Sequence, residues 1–299
     1  MAHILVVGSS NTDLVVKTVR FPKPGETLVG GDFFLFQGGK GANQAVAAAR
    51  MGAQVSFVSK LGKDLFGTQT KVALEKEGIS TEWILEDPLH PSGIASITIN
   101  ESGENQILVV PGANANLSPE NLDTTSALLE SADLVLCQLE IPLETVSHLA
   151  KLCQIAGKRL ILNPAPAKQL PEALLYKLFL ITPNETEACS LTGLVCESDS
   201  DLPKIAQWFL EKGVQNILIT LGEKGSYFQN SSLSFFTPAP QVIPVDTTAA
   251  GDVFNGTLAV ALAEGKNWES AIQSASRAAA LSVTRMGAQA SIPYRSEIF

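Results

Sequence analysis

Short apolar runs alternate with helical patterns along most of this chain, and this alternation constrains the fold more than any other feature of the sequence. The apolar runs are 3–7 (HILVV), 55–59 (VSFVS), 134–138 (LVLCQ), 159–163 (RLILN), 179–182 (FLIT) and 217–220 (ILIT). Apolar residues at helical spacing predict helices over 43–51, 65–77, 119–130, 143–155, 202–212, 252–263 and 269–285. Strand–helix–strand units of this length connect parallel strands by right-handed crossovers. The sequence therefore predicts an α/β fold with a doubly wound, mostly parallel sheet flanked by helices.

Two segments, about 13–37 and 94–110, interrupt this alternation because they contain β-like runs and no helical pattern. Gly-containing turns separate the runs, which favours antiparallel pairing. We expect the two segments to pair with each other as a small sheet within one domain that spans 1–299. The apolar face of such a sheet needs a cover. A lid over a cleft and a homodimer through the sheet would each provide one, and the two are compatible.

Composition and charge disfavour several classes of protein. The 299 residues are 45% hydrophobic, which is enough for one large core. A net charge of −9 disfavours nucleic acid and anionic membranes as partners, and no apolar run is long enough to span a bilayer. The four cysteines show neither CxxC nor zinc-ligand spacing, and the N-terminus lacks the pattern of a signal peptide. We therefore expect a cytoplasmic protein.

Polar residues follow the predicted strands, at the ends where open parallel sheets bind their ligands. Asn11 and Asp13 follow the first strand, and Glu140 follows the run 134–138. Asn163 ends the next run, and PNETE (183–187) follows the run after that. We expect these side chains to converge at one edge of the sheet.

A Gly-rich element, QGGKGAN (37–43), leads directly into a predicted helix. Three glycines within four residues let the backbone approach a ligand closely, although a flexible turn ahead of a helix explains them equally well. The element matches neither the Walker A pattern nor GxGxxG. A second element, TLGEKG (220–225), predicts a hairpin whose backbone amides could also contact phosphate.

Asn184 and Glu187 lie three residues apart in the first turn of a helix, where two interpretations compete. An Asn at the N-cap followed by a Glu at the third helical position fits a capping box. The same side chains suit a magnesium site, in which few protein groups bind and several waters remain. The spacing by itself slightly favours the capping box.

Asp252 stands at the start of the Ala-rich helix predicted over 252–263, directly after Ala249, Ala250 and Gly251. The helix dipole favours an acidic residue there, so a structural role suffices to explain it. Backbone amides at a helix N-terminus also bind phosphate, and a carboxylate beside them is placed to take a proton from a substrate hydroxyl. The three histidines lie outside the polar strand ends, so a carboxylate is the best available base.

Two motifs, GGKGAN (38–43) and DTTAAGDVFNG (246–256), resemble the two signatures of the PfkB sugar kinase family. Further segments resemble its ribokinase branch: Asn11-Thr12-Asp13, NPAPA (163–167), TPNETE (182–187), TLGEKG (220–225) and TRMGAQ (284–289). The matches occur in order and span nearly the whole chain. The resemblance implies a ribokinase-like fold, a β lid that doubles as a dimer interface, and ATP-dependent phosphorylation of the 5-hydroxyl of D-ribose.

The resemblance also implies roles for individual residues. Asp252 would be the catalytic base, and the amides of Ala249, Ala250 and Gly251 would form an anion hole. The residues implied to hold the sugar are Asn11, Thr12, Asp13, Gly39, Lys40, Gly41, Ala42, Asn43, Glu140 and Asp252. Those implied to contact ATP are Asn184, Thr220, Leu221, Gly222, Glu223, Lys224, Gly225, Gly251, Asp252 and Ser276.

Two cations are implied as well. Glu187 would help to organise Mg²⁺ through water. K⁺ would lie beside the anion hole, mostly on backbone carbonyls, at Asp246, Thr248, Ser282, Arg285, Gly287 and Ser291. One departure concerns Ser276, which stands where ribokinases often carry a larger polar residue, so adenine contacts at this position do not follow from the resemblance.

Three alternatives compete with this interpretation. A kinase for deoxyribose or fructose fits the same motifs. A catalytically silent sugar-binding regulator would be expected to lack the base or its glycines, yet Asp252, Gly251 and Gly41 are present. A dinucleotide oxidoreductase would need GxGxxG after the first strand, where the sequence reads GSSNTD.

Overall fold

The alternating strands and helices form a large sheet with helices on both faces, and the two interrupting segments form a separate small sheet. A computed structural model describes residues 1–298. The strands of these residues are β1 (His3–Val7), β2 (Asn11–Lys17), β3 (Phe33–Gly38), β4 (Gln54–Gly62), β5 (Ile84–Asp87), β6 (Gly93–Ile99), β7 (Asn105–Val110), β8 (Leu134–Cys137), β9 (Leu160–Leu162), β10 (Leu180–Ile181), β11 (Asn216–Thr220), β12 (Gly225–Asn230) and β13 (Ser234–Pro238). The α-helices are α1 (Lys40–Arg50), α2 (Leu65–Lys76), α3 (Pro119–Asp123), α4 (Ser126–Ser131), α5 (Leu143–Ile155), α6 (Glu172–Leu175), α7 (Glu185–Thr192), α8 (Leu202–Glu211), α9 (Ala250–Ala263), α10 (Trp268–Ser282) and α11 (Ala288–Ser291).

Most of the predicted elements are present, with differences at their ends. The helix predicted over 119–130 is two short helices, because Thr124 and Thr125 interrupt it. Their hydroxyls donate to the carbonyls of Asn121 (3.2 Å) and Leu122 (2.7 Å), a local bond that competes with helix formation. The helix predicted over 269–285 ends earlier, at Ser282.

The larger sheet has the strand order β13-β12-β11-β10-β9-β8-β1-β4-β5. The strands from β11 to β5 are parallel, and β12 and β13 add an antiparallel hairpin at one edge. The chain passes from β1 to β4 on one side and later enters β8 on the other side of β1. A crevice therefore opens at the carboxyl ends of β1 and β8, where open α/β sheets bind ligands.

Helices cover both faces of the larger sheet, and β1 shows how. Ile4 and Val6 belong to a core that includes α1, α9 and α10, whereas Leu5 and Val7 belong to a second core with α5 and α8. A strand buried on both faces must be apolar throughout, which explains the unbroken run in β1. The prediction of a doubly wound α/β fold is confirmed. Within residues 1–298, no helix combines the length and apolar character needed to cross a membrane.

The smaller sheet, called the lid sheet below, consists of β2, β3, β6 and β7 in the order β3-β2-β6-β7. Each predicted segment forms an antiparallel hairpin, but the central strands, β2 and β6, are parallel to each other. The antiparallel pairing predicted within each segment is observed. The direction of β2 relative to β6 was not predicted, because no local connection joins these two strands.

The lid sheet also begins earlier than predicted. Asn11 and Asp13 lie on β2, not in a loop after β1. Because side chains alternate along a strand, these two share one face of the lid sheet and Thr12 lies on the other. The apolar residues of β7 are exposed, with Leu108 at 67%.

Candidate active site

The crevice between β1 and β8 is closed at its base by a hydrogen bond between the segments that follow the two strands. Ser9 Oγ donates to Glu140 Oε2 at 2.5 Å. The amide of Lys40 donates to the same carboxylate oxygen at 3.0 Å. Glu140 is thus fixed by two donors, both at its Oε2 oxygen.

Two glycines allow α1 to begin against the end of β1. Gly39 has φ 86°, a left-handed conformation that other residues rarely adopt. At Gly41, a Cβ atom would lie 2.6 Å from backbone atoms of Gly8 and Ser9. The Gly-rich element is therefore a close approach of two backbone segments, and it sets the position of Lys40 and Asn43. Ala42 between them is fully buried.

The lid sheet contributes Asn11 and Asp13 to the crevice. Asn11 is buried and its Oδ1 accepts from Asn114 Nδ2 at 2.8 Å. Asp13 is largely enclosed, and burial raises its pKa to about 7, helped by the negative charges of Glu140 and Asp252. Three carboxyl groups therefore share one site, so a ligand with hydroxyl donors is suited to it better than an anion.

Asp252 lies in the first turn of α9 and is 4% exposed. Asn43 Nδ2 donates to its Oδ2 and Gln44 Nε2 to its Oδ1, both at 2.9 Å. Burial raises the pKa of Asp252, against the opposing effect of Lys40 and of these two hydrogen bonds. A carboxylate whose basicity is raised by burial and whose two oxygens are oriented has the properties of a general base.

Lys40 provides the positive charge of the site. The carboxylate of Asp252 raises the pKa of Lys40 more than any other group, with smaller contributions from Glu140 and Glu187, while burial lowers it. Burial also raises the pKa of Glu187. The charge of Lys40 thus stabilises a cluster of carboxylates that would otherwise repel one another.

The residues that precede Asp252 form a strained turn. Ala249 has φ 62°, and among residues 1–298 it is the one non-glycine with a positive φ. The backbone carbonyl of Gly251 accepts from Asn255 Nδ2 at 2.8 Å. The amide of Ala250 donates to the carbonyl of Thr247 at 3.3 Å, and a Cβ atom built on Gly251 would meet nothing within 4 Å. The anion hole over Ala249, Ala250 and Gly251 stays a prediction.

Asn184 and Thr220, both predicted to contact ATP, form a parallel bridge; Thr220 is the last residue of β11, and Asn184 lies beyond the end of β10. Asn184 Oδ1 accepts from the amide of Glu187 (2.8 Å), and Glu187 Oε2 accepts from the amide of Asn184 (2.9 Å). The capping box is therefore present, as the spacing favoured. The capping box uses Oε2 of Glu187, and Oε1 takes no part in it.

The TLGEKG element is a 3₁₀ turn, Gly222–Lys224, between the strands of the predicted hairpin. Leu221 donates its amide to the carbonyl of Gly225 at 2.8 Å, which closes the turn. Lys224 forms an exposed ion pair with Asp199 at 3.0 Å, and Glu223 is exposed. Ser276 is buried on α10, and within the described residues no hydrogen bond joins it to this turn.

The segment predicted to hold K⁺ is brought together by Asp246. Its Oδ1 accepts from the amide of Thr248 and its Oδ2 from the amide of Gly287, both at 2.9 Å. Burial raises the pKa of Asp246, but these bonds outweigh it and the pKa is lowered. Ser282 and Ser291, which lie on either side of Gly287 in the sequence, are fully buried. The Arg285 side chain forms an ion pair with Glu297. The Arg285 side chain is therefore engaged elsewhere, and the K⁺ site stays a prediction.

Several residues of this site were not predicted from the sequence. Gln44, Gln138 and Asn255 are buried and hydrogen-bonded around Asp252 or Gly251, and Ser9 and Asn114 hold neighbouring groups. A signal existed for Gln44, because it interrupts the apolar helix ANQAVAAA and a buried polar side chain needs a partner. The partner itself, more than 200 residues away, could not be identified from the sequence.

Known proteins resemble this chain over nearly its whole length. The family model described as pfkB family carbohydrate kinase matches residues 1–295. The chain is 44% identical to the ribokinase of Haemophilus influenzae over 98% of this chain and 96% of that one. It is 40% identical to the deoxyribokinase of Salmonella typhi over 97% and 95%. The structure of Arabidopsis thaliana ribokinase complexed with ribose and ATP superimposes with a TM-score of 0.95 at 34% identity, covering 100% of this chain and 98% of that one. This chain belongs to the pfkB family of carbohydrate kinases.

Proposed function

We propose that the protein transfers the γ-phosphoryl group of ATP to the 5-hydroxyl of D-ribose, giving D-ribose 5-phosphate. The observation that carries this proposal is the buried carboxylate of Asp252, whose two oxygens accept from the side-chain amides of Asn43 and Gln44. Asp252 lies in the first turn of α9, next to open space at Gly251. The ribokinases among its relatives, one of them complexed with ribose and ATP, support ATP and ribose as substrates.

The sugar would lie between the lid sheet and the start of α1. Asp13, Glu140 and Asp252 supply acceptors for hydroxyl groups, and Lys40 supplies a donor. Asn43 Oδ1 is buried without a partner in the described residues, so it is available to accept from a sugar hydroxyl. Such a set of convergent acceptors selects a polyhydroxylated ligand, because each unmatched buried acceptor would cost about 1–3 kcal/mol.

In the reaction, Asp252 would take the proton of the 5-hydroxyl as that oxygen attacks the γ-phosphorus of ATP. Negative charge on the transferring group would be stabilised by the first amides of α9, near Ala250 and Gly251, and by Lys40. Asn43 and Gln44 hold the carboxylate during proton transfer. Little covalent chemistry is asked of the protein, since phosphoryl transfer depends mainly on positioning and electrostatics.

The triphosphate would extend toward Asn184 and the turn Gly222–Lys224, where glycines allow close backbone approach. Among residues 1–298, no three His, Cys, Asp or Glu side chains are grouped to hold a metal ion. This fits Mg²⁺ bound mainly by ATP, with Glu187 acting through water. Bound in this way, Mg²⁺ neutralises phosphate charge. Ser276 on α10 is our candidate for the edge of the adenine pocket.

We place a K⁺ site at the segment that Asp246 joins to Gly287. Backbone carbonyls and a carboxylate are suitable ligands for a large monovalent cation, and Asp246 already draws two parts of the chain together there. The other contributors would be Thr248, Ser282, Arg285 and Ser291. Replacing K⁺ with Na⁺ should slow turnover; equal rates in the two salts would contradict this assignment.

We also propose that two copies of the protein pair through their lid sheets in the cytoplasm. The exposed apolar side chains of the lid sheet support the dimer, since Phe33 and Ile107 are 58% and 55% exposed. The free cysteines support a reducing compartment. Leu108→Glu should convert a dimer to a monomer in sedimentation experiments, and a wild-type monomer would contradict the proposal.

The test of the function is an ATP-dependent phosphorylation assay across ribose, deoxyribose and fructose, with and without K⁺. We expect the highest kcat/KM with ribose. The second candidate, deoxyribose, rests on the 40% identity to a deoxyribokinase and would be favoured by a higher rate with that sugar. A ribose rate no better than that of fructose would refute the proposal. No turnover with any sugar would favour a silent sugar-binding regulator.

A further inference from the structure

A chain of buried side-chain amides contacts the carboxylate of Asp252. Gln44 Nε2 donates to Asp252 Oδ1 (2.9 Å) and also to Asn163 Oδ1 (3.0 Å). Gln44 Oε1 accepts from Gln138 Nε2 at 2.6 Å. Gln44 and Gln138 are fully buried, and Asn163 is 7% exposed. Side chains from α1, from α9 and from the residues that directly follow β8 and β9 thus meet at the Gln44 amide.

The orientation of the Gln44 amide is determined by its neighbours. Asn163 Nδ2 donates to the backbone carbonyl of Thr182 at 3.2 Å, and a carbonyl can only accept. Asn163 must therefore turn its oxygen toward Gln44. A flipped Gln44 would place its own oxygen against the oxygens of Asn163 and Asp252, and its NH₂ group against that of Gln138. This arrangement satisfies the Gln44 amide, Asn163 and Asp252, whereas Gln138 Oε1 has no hydrogen-bond partner among the described residues.

The same network reaches the first turn of α9 by a second branch. Thr182 Oγ1 donates to Asn255 Oδ1 at 2.7 Å, and Asn255 Nδ2 donates to the carbonyl of Gly251 at 2.8 Å. The base and the helix turn beside it are therefore fixed to the ends of β9 and β10 by one set of hydrogen bonds. Satisfied networks of this kind hold a functional group in one orientation.

We propose that Gln44 is a positioning residue for Asp252, and that Gln138 locks the Gln44 amide so that its NH₂ group faces the base. Gln44 holds the Oδ1 oxygen, and Asn43 holds Oδ2 from the sugar side. The inference rests on the proposed role of Asp252 as the base. Neither glutamine contacts substrate in this scheme, so the effect of each is on the orientation and protonation of the carboxylate.

The charged groups around Asp252 stay the same when Gln44 is changed. They are Lys40, Glu140, Asp13 and Glu187. A change in the titration of Asp252 in Gln44→Met therefore reports the lost hydrogen bond. Because that bond favours the ionised form, its loss should raise the pKa of Asp252 further.

The experiment compares Gln44→Met, Gln138→Met and the double variant with wild type. The control is Asn216→Leu, which removes a buried amide that bonds Phe179 and Asn230 at the opposite end of the sheet. Two readouts are used: kcat and KM for ribose against pH, and the pKa of the Asp252 carboxyl in the ligand-free protein by ¹³C NMR. The resonance is assigned by its absence from Asp252→Asn.

We expect Gln44→Met to lower kcat about tenfold or more with KM changed less than about threefold, and to raise the Asp252 pKa. Gln138→Met should shift both in the same direction by less, and the double variant should equal Gln44→Met, because the two act through one amide. Asn216→Leu should leave both readouts unchanged. A folded Gln44→Met with wild-type kcat and wild-type Asp252 pKa would overturn the proposal, and additive effects would overturn the locking role of Gln138.

If Gln44→Met does not fold, Gln138→Met decides, because it leaves every contact of Asp252 in place. A wild-type kcat and an unshifted Asp252 pKa in Gln138→Met would then refute the proposal. The NMR readout also separates this inference from the proposed function. A wild-type protein that does not phosphorylate ribose refutes the function, whereas the Asp252 pKa in the variants still tests the contact.

Discussion

Replacing Asp252 with asparagine should abolish most of the turnover while leaving the fold and ribose binding largely intact. An amide keeps one oxygen, so one of the two donors at 2.9 Å, from Asn43 or Gln44, loses its acceptor. The lost bond costs about 1–3 kcal/mol, but removing a buried charge contributes in the opposite direction. We therefore expect the free energy of unfolding to change by less than about 2 kcal/mol, a few degrees in Tm.

The effect on the barrier is larger, because the base acts on the proton that moves in the transition state. A general base contributes about 10²–10⁴-fold, so kcat should fall by that factor, equivalent to about 3–5 kcal/mol. ADP release measures kcat, and calorimetry measures the Kd for ribose, which should stay within about threefold. A folded variant that retains more than about a tenth of kcat would refute the assignment of the base.

The matched control for this experiment is Asp133→Asn. Asp133 accepts the amide of His3 at 2.8 Å at the amino end of β1, on the opposite edge of the sheet from Asp252. Its replacement removes one carboxylate of similar charge outside the site. Turnover should equal that of wild type; a comparable loss would show that net charge, and not the position of Asp252, controls the rate.

Three further predictions concern the backbone and the charge of the site. Ala249→Gly should retain turnover because glycine adopts φ 62° readily, whereas Ala249→Val should lose most of it, since a β-branched residue strongly disfavours this conformation; kcat in both variants tests this. Gly41→Ala should destabilise the fold by about 1–3 kcal/mol in denaturant titrations because its Cβ would overlap the backbone of 8–9, whereas Gly251→Ala should unfold no more easily than wild type, since its Cβ meets nothing within 4 Å. Asp13 has a folded-state pKa of about 7, above its unfolded value near 4, so ligand-free stability should fall as pH rises through this window; Asp13→Asn should flatten that dependence in Tm measurements from pH 4 to 8, and an unchanged slope would contradict it.

Local patterns were sufficient to predict the larger sheet. β1, β4, β8 and β11 were recognised as apolar runs because both of their faces are buried, which removes polar residues from the strand. The ends of helices were less predictable. Thr124 and Thr125 split one predicted helix because their hydroxyls bond to backbone carbonyls, and the apolar spacing of 119–130 carries no sign of that competition.

Some residues of the candidate site could be predicted from the sequence, and others could not. Asp252 and Glu140 were predicted to meet because each follows a strand or begins a helix at one edge of a parallel sheet. Asn43 was assigned to the same site by the family resemblance, and the structure brings its Nδ2 within 2.9 Å of Asp252 Oδ2. Gln44 and Gln138 were missed, since either could have satisfied its amide in many ways within a helix or a core.

The sequence by itself determined the sheet, the edge at which polar groups gather and the helix start that carries Asp252, because hydrophobic periodicity and helix-terminal chemistry are local properties of the chain. Only the tertiary structure decided the parallel pairing of β2 with β6, the placing of Asn11 and Asp13 on the lid sheet, and the amide chain from Gln138 to Asp252. These features depend on which distant segments are neighbours. A buried donor must find an acceptor, but the sequence does not say which one, and here the acceptor of Gln44 lies on a helix that begins at Ala250.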